Sequence, residues 1–336
     1  MAYDVFQQKA DQATETLITE NLDVFGTSSN GSIVLQNTTN LPGDTETQRF
    51  FGGLPAVVDR NAYDLTGTQN PVEIATMTAN AVTCDFGIPT YKITESMLQR
   101  MMGNSQETDI LAAQKATELS AAFTAAELQR AVSGAVAVAS LNPNNVLTIE
   151  APASGSVGDL GNLTVDSIYA GLARFGDAYG RLGAIVMHSN QFFSLARTDL
   201  IKNGTQLFKA ADLAGNGVSV IELVTGQRVV VTDAPALLGN TLLLSQQAIM
   251  MKALNVNSVY ERRAGNVNIY GLGQHETSCR IGFRNARLKS SVLSAIEGTK
   301  SIDSATFANP ASWERVQKDS DKKDIGVLIK FTAKAA

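Results

Sequence analysis

The longest helical pattern in the chain runs from about Thr108 to Ala139. This stretch is rich in Ala, contains no Pro and includes a single Gly, Gly134. Ala is the strongest helix former because it loses no side-chain rotamer freedom, and at ~1.5 Å per residue the helix would be roughly 45 Å long. Its larger apolar residues are few, which favours a strut that lies against a sheet. An ordinary core helix of an α/β enzyme is the alternative.

The first hundred residues show patterns typical of short or extended elements. Residues 4–20 place apolar side chains at helical spacing, which predicts a short amphipathic helix. Residues 26–48 are polar and weakly periodic, as in an extended arm or linker. Residues 49–98 predict two extended segments joined by a turn-rich tip near 66–71. These segments have too little apolar content for a core of their own, so they need a supporting surface, such as a neighbouring subunit.

The middle of the chain predicts a compact mixed subdomain. Thr164 can cap a helix over Val165–Phe175. The apolar run Ala184–His188 predicts a buried strand, and Ser189 or Asn190 can cap the helix that follows it. Further apolar segments come next, so that helices and strands together form an α/β or α+β unit.

Two strands are predicted near the end of the chain. The first is indicated by alternation, with apolar residues on one face and cationic residues or Gly on the other: Cys279, Ile281 and Phe283 against Arg280, Gly282 and Arg284. Residues 317–324 read as a solvated charged turn. The segment Ile325–Thr332 is strongly β-prone and should pair within a sheet, for which the sheet under the long helix is a candidate.

Composition narrows the class of protein. Of the 336 residues, 44% are hydrophobic and 18% are charged, which indicates a folded chain. The net charge is −5, which argues against a broad basic face for nucleic acid. Cys84 and Cys279 lie far apart in sequence and suggest no disulfide framework. No apolar run approaches the ~20 residues of a membrane helix, and the N-terminus has no apolar signal core. We therefore expect a soluble, cytosolic protein with no membrane partner.

Candidate catalytic residues are weakly supported. His188 follows a predicted strand, where catalytic residues of α/β enzymes often lie, and His275 stands beside Glu276. Neither has an identifiable partner, and two histidines without shared spacing make a poor metal site. The segment 171–183 contains several Gly residues, but it starts with a helix and is not a dinucleotide loop. We expect no catalytic residue, no cofactor and no metal ligand.

Two small basic clusters are more consistent with salt bridges on a subunit surface than with phosphate binding. One is Glu261-Arg262-Arg263, and the other consists of Arg280, Arg284 and Arg287. The chain thus has no convincing active site. The arm, the two extended segments and the long helix, in contrast, would have few packing partners in a monomer. This imbalance points to an assembly protein.

The order of these parts resembles the major capsid protein of tailed bacteriophages, which has the Hong Kong 97 fold, an α+β fold. FFGGLPAVVDRNAYD (50–64) resembles the loop region of one branch of phage coat proteins. FGDAYGRLGAIVMHSNQFFSLAR (175–197) is similar to their segment in which a helix leads into an apolar strand that ends in Met-His-Ser. ANPASWERV (308–316) resembles their common ending, although three residues separate Asn309 from Trp313.

The resemblance implies a division of the chain into five parts. These are residues 1–48 as the N-terminal arm, 49–98 as the E-loop, 99–162 as the part of the P-domain with the spine helix, 163–276 as the A-domain, and 277–336 as the P-domain return strands and C-terminus. Copies would form pentamers and hexamers and then a closed icosahedral shell around double-stranded DNA, which the protein would contact weakly and without sequence specificity.

The resemblance also implies partners. A portal protein and decoration proteins are possible, and because only about 48 residues precede the loop, we expect a separate scaffolding protein or none. The protein would reside in the virion capsid, and in the cytoplasm of the bacterial host during assembly. Some relatives cross-link through a Lys and an Asn; no motif marks Lys92 and Asn309, so we expect no cross-link.

Two rival functions stay open. An encapsulin-like compartment would have the same fold and a packaged enzyme. A soluble α/β enzyme using His188 or His275 would form a small discrete oligomer. A tail or tube protein fits less well, because a long Ala-rich helix and a large mixed domain do not suit a β-rich tube.

Overall fold

A computed structural model describes residues 9–18, 26, 28–38, 40–51, 76–101, 105–150, 163–203, 208–212, 219–223 and 226–332. The helices are α1 (residues 9–18), α2 (Glu95–Met101), α3 (Ser105–Ala139), α4 (Val165–Arg174), α5 (Ser189–Asn203), α6 (Ser290–Ile296) and α7 (Ser304–Phe307). The strands are β1 (Ile33–Thr38), β2 (Thr45–Phe51), β3 (Thr76–Thr94), β4 (Val146–Glu150), β5 (Leu182–Met187), β6 (Phe208–Asp212), β7 (Ser219–Leu223), β8 (Arg228–Val231), β9 (Asn240–Ser245), β10 (Ile249–Leu254), β11 (Asn257–Ala264), β12 (Ile269–Phe283), β13 (Ala286–Leu288), β14 (Trp313–Arg315) and β15 (Gly326–Thr332). Mixed helices and sheets confirm the α+β class.

The first hundred residues contribute three strands, β1, β2 and β3, to a six-stranded sheet. Its order is β1-β10-β12-β3-β2, and β11 pairs with the other part of β12. β1 runs parallel to β10, and the remaining pairs are antiparallel. Within the segment 26–48, which was predicted to be an extended arm or linker, β1 and the start of β2 are therefore strands of this sheet. Backbone hydrogen bonding to a neighbouring strand does not require apolar side chains, so the polar pattern concealed these strands.

The predicted pair of extended segments in 49–98 is confirmed for residues 49–51 and 76–94, whereas residues 95–98 begin the helix α2. β2 pairs with the first part of β3 in an antiparallel hairpin. β3 is 19 residues long and is fully buried only in its first half, at Asn80–Val82 and Cys84. The predicted tip near 66–71 lies outside the described residues.

A seven-stranded sheet forms the second half of the molecule. Its order is β4-β15-β9-β5-β8-β7-β6. All six residues of β5 are buried, which confirms the predicted buried strand. The final strand, β15, lies between β4 and β9, so its predicted pairing within a sheet is also confirmed.

The long helix α3 connects the two sheets. Its buried side chains include Leu119, Phe123 and Val132, and they belong to one core with residues of both sheets: Val82, Ile281 and Phe283 from the first, and Leu242, Leu244 and Leu328 from the second. The helix is thus a strut against sheets, as its small side chains predict, and not an element buried on all sides.

A second core lies on the opposite face of the seven-stranded sheet, under α4. Ile168 and Leu172 of this helix pack with Ile185, Leu243 and Ile329. Thr164 caps α4 by accepting a hydrogen bond from the Ser167 N–H at 3.2 Å, which confirms the predicted cap.

The chain passes from the seven-stranded sheet to the six-stranded sheet well before residue 276. β10, β11 and the beginning of β12 fall inside the range 163–276, but they belong to the six-stranded sheet. The chain leaves the seven-stranded sheet between β9 and β10, at the turn Gln246–Gln247, where Gln247 has a positive φ of 54°. Periodicity alone gives no signal of such a change of sheet.

Candidate functional site

His188 serves as the N-cap of α5. Its carbonyl accepts hydrogen bonds from the N–H groups of Gln191 and Phe192, and its Nδ1 accepts one from the Asn190 N–H at 3.2 Å. The predicted cap at Ser189 or Asn190 was therefore wrong by one or two residues. The helix starts immediately after β5, so the last residue before it performs the capping.

His275 is fully buried in the six-stranded sheet. Its Nε2 lies 2.9 Å from the Tyr91 hydroxyl and its Nδ1 lies 2.7 Å from the Ser258 hydroxyl. Asp11 of α1 accepts hydrogen bonds from Ser258 at 3.0 Å and from Tyr260 at 2.8 Å. Glu276, its neighbour in sequence, is exposed. His188 and His275 therefore stand in separate sheet environments and do not form one site.

Most arginines of the two basic clusters form ion pairs, as predicted. Arg262 pairs with Glu95 at 2.5 Å, and Arg263 pairs with Glu261 at 2.8 Å. Arg287 donates to Glu314 at 2.7 Å, and Arg284 donates to the Gln246 carbonyl at 2.8 Å. Each guanidinium contacts a different acceptor, so neither cluster presents a shared phosphate cradle.

The burial of Arg280 differs from what the alternating strand pattern predicts. Arg280 was placed on the polar face of a half-buried strand, but it is buried. It donates to the carbonyls of Pro42 and Gly43, and it lies 3.4 Å from Glu46. The segment that leads into β2 covers this face of the sheet. The pKa of Glu46 is lowered, first by its hydrogen bond from Lys252 and then by Arg280.

The two cysteines are directly opposite each other in the β3–β12 register, although they are far apart in sequence. Both thiols are free and buried, and burial raises the pKa of Cys84 to about 12. A thiol with such a pKa is a poor nucleophile and a poor metal ligand at neutral pH. Among the residues that the structure describes, no three His, Cys, Asp or Glu side chains are grouped as they would be around a metal ion. No helix within the described ranges is long and apolar enough to span a membrane.

Surfaces, not a cleft, are the prominent functional feature. Large apolar side chains are exposed in two groups. One is on α2, α3 and the β11–β12 hairpin: Met97, Ile110, Val259, Val267 and Ile269. The other is on elements of and around the seven-stranded sheet: Tyr169, Tyr179, Phe193, Val231 and Leu238. Val267 is 89% exposed and Phe193 is 65% exposed, so these residues are candidates for contacts with other subunits.

Two polar clusters were missed by the sequence analysis. One is the set of groups around His275 just described, together with Lys115. The other surrounds the buried carboxylate of Asp324, which accepts from Asn142, Asn145, Asn285 and Arg315 at 2.7–3.0 Å. Repeated Asn and Asp residues in 142–145 and 319–324 are a weak signal for this second cluster, but they read equally well as turns.

Comparison with solved structures gives the fold. A chain from Mycobacterium phage Cain has a TM-score of 0.50 at 9% identity, over 92% of this chain and 90% of that one. A chain described as the asymmetric unit of the bacteriophage PhiM1 mature capsid has a TM-score of 0.49 at 12% identity, over 90% and 86%. One from the capsid asymmetric unit of cyanophage Pam1 has a TM-score of 0.49 at 11% identity, over 90% and 89%. At 9% identity, the likeness to the chain from Mycobacterium phage Cain shows the fold alone.

Family membership comes from the sequence. No curated protein matches the chain. The family described as Gp13-like, major capsid protein 13-like, matches residues 2–328. Because this match covers nearly the whole chain, the chain belongs to the Gp13-like family of major capsid proteins.

Proposed function

We propose that this chain is the subunit of an icosahedral head, in which pentamers and hexamers enclose double-stranded DNA. That it is a capsid protein, and that such a shell is built from copies of itself, follows from its family. The observation that carries the finer proposal is the β2–β3 hairpin. The hairpin is buried only at its base, at Asn80–Val82, and its far part is exposed or half-buried, and a hairpin with little burial of its own gains stability from a second surface. A neighbouring subunit supplies that surface.

We propose that the chain is divided into an arm, an E-loop, an axial domain and a peripheral domain, with boundaries that follow the two sheets. Residues 1–48 act as the arm and 49–98 as the E-loop. Residues 163–245 form the axial domain together with β4 and β15, and α3 with the six-stranded sheet forms the peripheral domain. The two groups of exposed apolar residues support this division, since one group lies on each of the two units.

We also propose further partners for the assembled shell. A separate scaffolding protein, a portal and decoration proteins are possible partners. The packaged DNA is held weakly, since a net charge of −5 does not favour tight phosphate binding. Assembly takes place in the host cytoplasm, and the protein ends in the virion. Its role is structural and not enzymatic, because His188 caps a helix and His275 is buried in a hydrogen-bonded cluster.

Negative-stain electron microscopy with light scattering on the same sample tests the proposal. We expect closed shells, or free pentamers and hexamers, from the purified protein. A monodisperse monomer or dimer at neutral pH and moderate salt, even with a scaffolding partner added, would contradict it. Shells that contain an enzyme instead of DNA would indicate an encapsulin-like compartment.

A further inference from the structure

The strand β4 is the last strand on one side of the seven-stranded sheet. It pairs with β15 on its inner side, and no described strand pairs with it on its outer side. Proteins commonly block such an edge with Lys, Pro or a β-bulge, but the five residues of β4, VLTIE, include none of these. Val, Thr and Ile are among the most β-prone residues. The outer edge of β4 is therefore suited to pairing with another strand.

The backbone of β15 alternates between its two neighbouring strands. The Phe331 N–H donates to the carbonyl of Gly239, the residue before β9, at 2.8 Å. Backbone groups of successive residues in a strand point to opposite sides, so those of Leu328 and Lys330 point to β4. These two residues therefore supply hydrogen bonds from β15 to β4.

The register then determines which groups of β4 point outwards. Lys330 is level with Thr148 in the parallel ladder. A residue in such a ladder bonds to the two neighbours of the residue opposite it, so the backbone of Lys330 meets Leu147 and Ile149. The N–H and C=O groups of Thr148 therefore point away from β15.

Both ends of β4 follow the same alternation. The Val146 N–H donates to the Pro143 carbonyl and not to β15, and the backbone of Glu150 points outwards with that of Thr148. Within the described ranges, the N–H groups of Thr148 and Glu150 have no backbone acceptor. Two backbone donors on this edge are thus available to an added strand.

A groove of about 430 Å³ lies beside this edge, on the face of the sheet towards α3. Val146 and Thr148 of β4 and Leu328 and Lys330 of β15 line it, and the C-terminal end of α3 and the segment at Pro310 form its walls. Alternate side chains of a strand point to the same face of a sheet. Every second side chain of a strand added to β4 would therefore be directed to the face that carries this groove.

Lys330 gives the groove a positive charge. It is exposed, whereas the residues Gly326–Ile329 and Phe331 of the same strand are buried. None of the described residues that line the groove is Asp or Glu, and no described carboxylate lies within 4.0 Å of the Lys330 ammonium group. A carboxylate from outside the subunit would match this charge.

We propose that the outer edge of β4 and the groove beside it are a docking site for an extended segment of a second copy of this chain. The segment adds a strand to β4 and places a carboxylate side chain near Lys330. Backbone hydrogen bonds with Thr148 and Glu150 supply affinity, and the charged groove supplies selectivity. The inference rests on the proposed shell, in which copies of the chain are neighbours.

A second copy is the occupant that the observations favour. The family is that of major capsid proteins, so every subunit is surrounded by other copies. The chain carries 32 Asp and Glu residues against 27 Lys and Arg residues, so a neighbouring copy has an excess of carboxylates to offer to Lys330. An edge without a blocking residue suits a protein whose function is to associate with itself.

Hydrogen–deuterium exchange at single-amide resolution tests the docking site, with free subunits compared with shells of the full-length protein. The amides of Thr148 and Glu150 should exchange fast in free subunits and become protected by about tenfold or more in shells. Those of Leu147 and Ile149, which bond to β15, should be protected in both samples. This alternation distinguishes an added strand from general coverage of the surface.

Thr148→Pro removes the outward N–H without removing a bond between β4 and β15. An edge strand accepts Pro at such a position, so the variant should keep the circular dichroism of the unaltered protein. Its yield of shells, measured by light scattering, should fall by about tenfold or more. The matched variant Thr148→Val keeps the N–H and the β-branched shape and should still form shells.

Lys330→Glu tests the charge separately. The residue is exposed, so the fold should be retained, while the reversed charge repels the incoming carboxylate and lowers the yield of shells. Lys330→Arg keeps the charge and should restore assembly. Should Thr148→Pro be unfolded, Lys330→Glu and the exchange pattern decide.

Several results would overturn the proposal. It is wrong if Thr148 and Glu150 are already protected in free subunits, since another part of the same chain then covers the edge. It is also wrong if their protection in shells requires a bound scaffolding protein, or if Lys330→Glu assembles normally. Shells of the unaltered protein without this protection contradict the docking site alone. Failure of the unaltered protein to form shells or capsomers contradicts the proposed function, and the docking site falls with it.

Discussion

At the residue scale, burial controls the protonation of a carboxyl group on the long helix α3. Glu127 lies on the buried face of α3 and is 1% exposed. Among the described residues its Oε2 finds no hydrogen-bond partner. Burial raises the pKa of Glu127 from 4.5 to about 8, so the carboxyl group is largely protonated at neutral pH.

Glu127 should make folding less favourable as the pH rises. The unfolded chain releases the proton above its ordinary pKa of 4.5, whereas the folded protein holds it until about 8. The free energy of unfolding therefore falls by up to about 1.4 kcal/mol per pH unit between these values. Urea titrations from pH 5 to pH 8 should show Glu127→Gln gaining stability relative to the unaltered protein as the pH increases. Glu118→Gln, at an exposed position of the same helix, is the control, and an equal trend in both variants would contradict this account.

Asp324 is expected to contribute more to the free energy of unfolding than its place in a charged segment suggests. It is buried and accepts from three Asn amides and from Arg315. Asp324→Ala removes the buried carboxylate that these donors share, although each keeps a bond to Asp321 or Gln317, and should lower the free energy of unfolding by about 3–5 kcal/mol. Asp319→Ala removes only an exposed pair with Lys323 and should cost less than about 1 kcal/mol. Equal losses in the two variants, measured by urea unfolding, would show that burial of Asp324 is unimportant.

At the element scale, α3 depends on the one Gly in its pattern. Phe283, Phe307 and Trp313 form an aromatic cluster with centroids 5.1–5.8 Å apart. A methyl group at Gly134 would lie 2.3 Å from the ring of Phe307 and 2.5 Å from that of Phe283. The Gly therefore permits close packing of the helix, even though Gly lowers helix propensity.

Gly134→Ala should be destabilising although Ala is the better helix former. Helix propensity alone predicts a gain of about 1 kcal/mol, whereas overpacking costs about 1–3 kcal/mol. We expect a lower melting temperature with an unchanged helix content by circular dichroism. Gly180→Ala is the control, because its methyl group would meet no atom within 4 Å. A higher melting temperature for Gly134→Ala would mean that the aromatic cluster moves aside freely.

At the scale of the whole molecule, exposed apolar residues should be needed for assembly and not for folding. Val259 is 66% exposed on β11. Val259→Asp should change the free energy of unfolding by about 0.5 kcal/mol or less and should reduce shell formation, as seen by light scattering. Val259→Thr keeps the β-branched shape without a charge and should still assemble. Normal shells from Val259→Asp would place this strand outside the subunit contacts.

The absence of a covalent cross-link is also a prediction for the assembled shell. Lys92 lies 4.1 Å above the ring of Tyr270, and Asn309 caps a short helical turn by accepting from the Ala311 N–H. Both side chains thus have structural contacts in the subunit. Boiled shells should run as single subunits on a denaturing gel, and a ladder of linked subunits would contradict the prediction.

The sequence by itself determined those features of the fold that depend on local chemistry. Ala content predicts α3, Thr164 predicts the start of α4, and continuous apolar runs predict β5 and β15, since each depends only on neighbours along the chain. The assembly role also followed from sequence, first by resemblance and then by the family match.

Only the tertiary structure decided which distant residues meet. It placed β10 and β11 in the first sheet, buried Arg280 under the segment before β2, and set Cys84 opposite Cys279. It also joined Asp11, Tyr91, Ser258 and His275, which are separated by up to 264 positions in the chain. Strand pairing and register bring such residues together, and these depend on the packing of the whole chain, which no local period of two or 3.6 residues can encode.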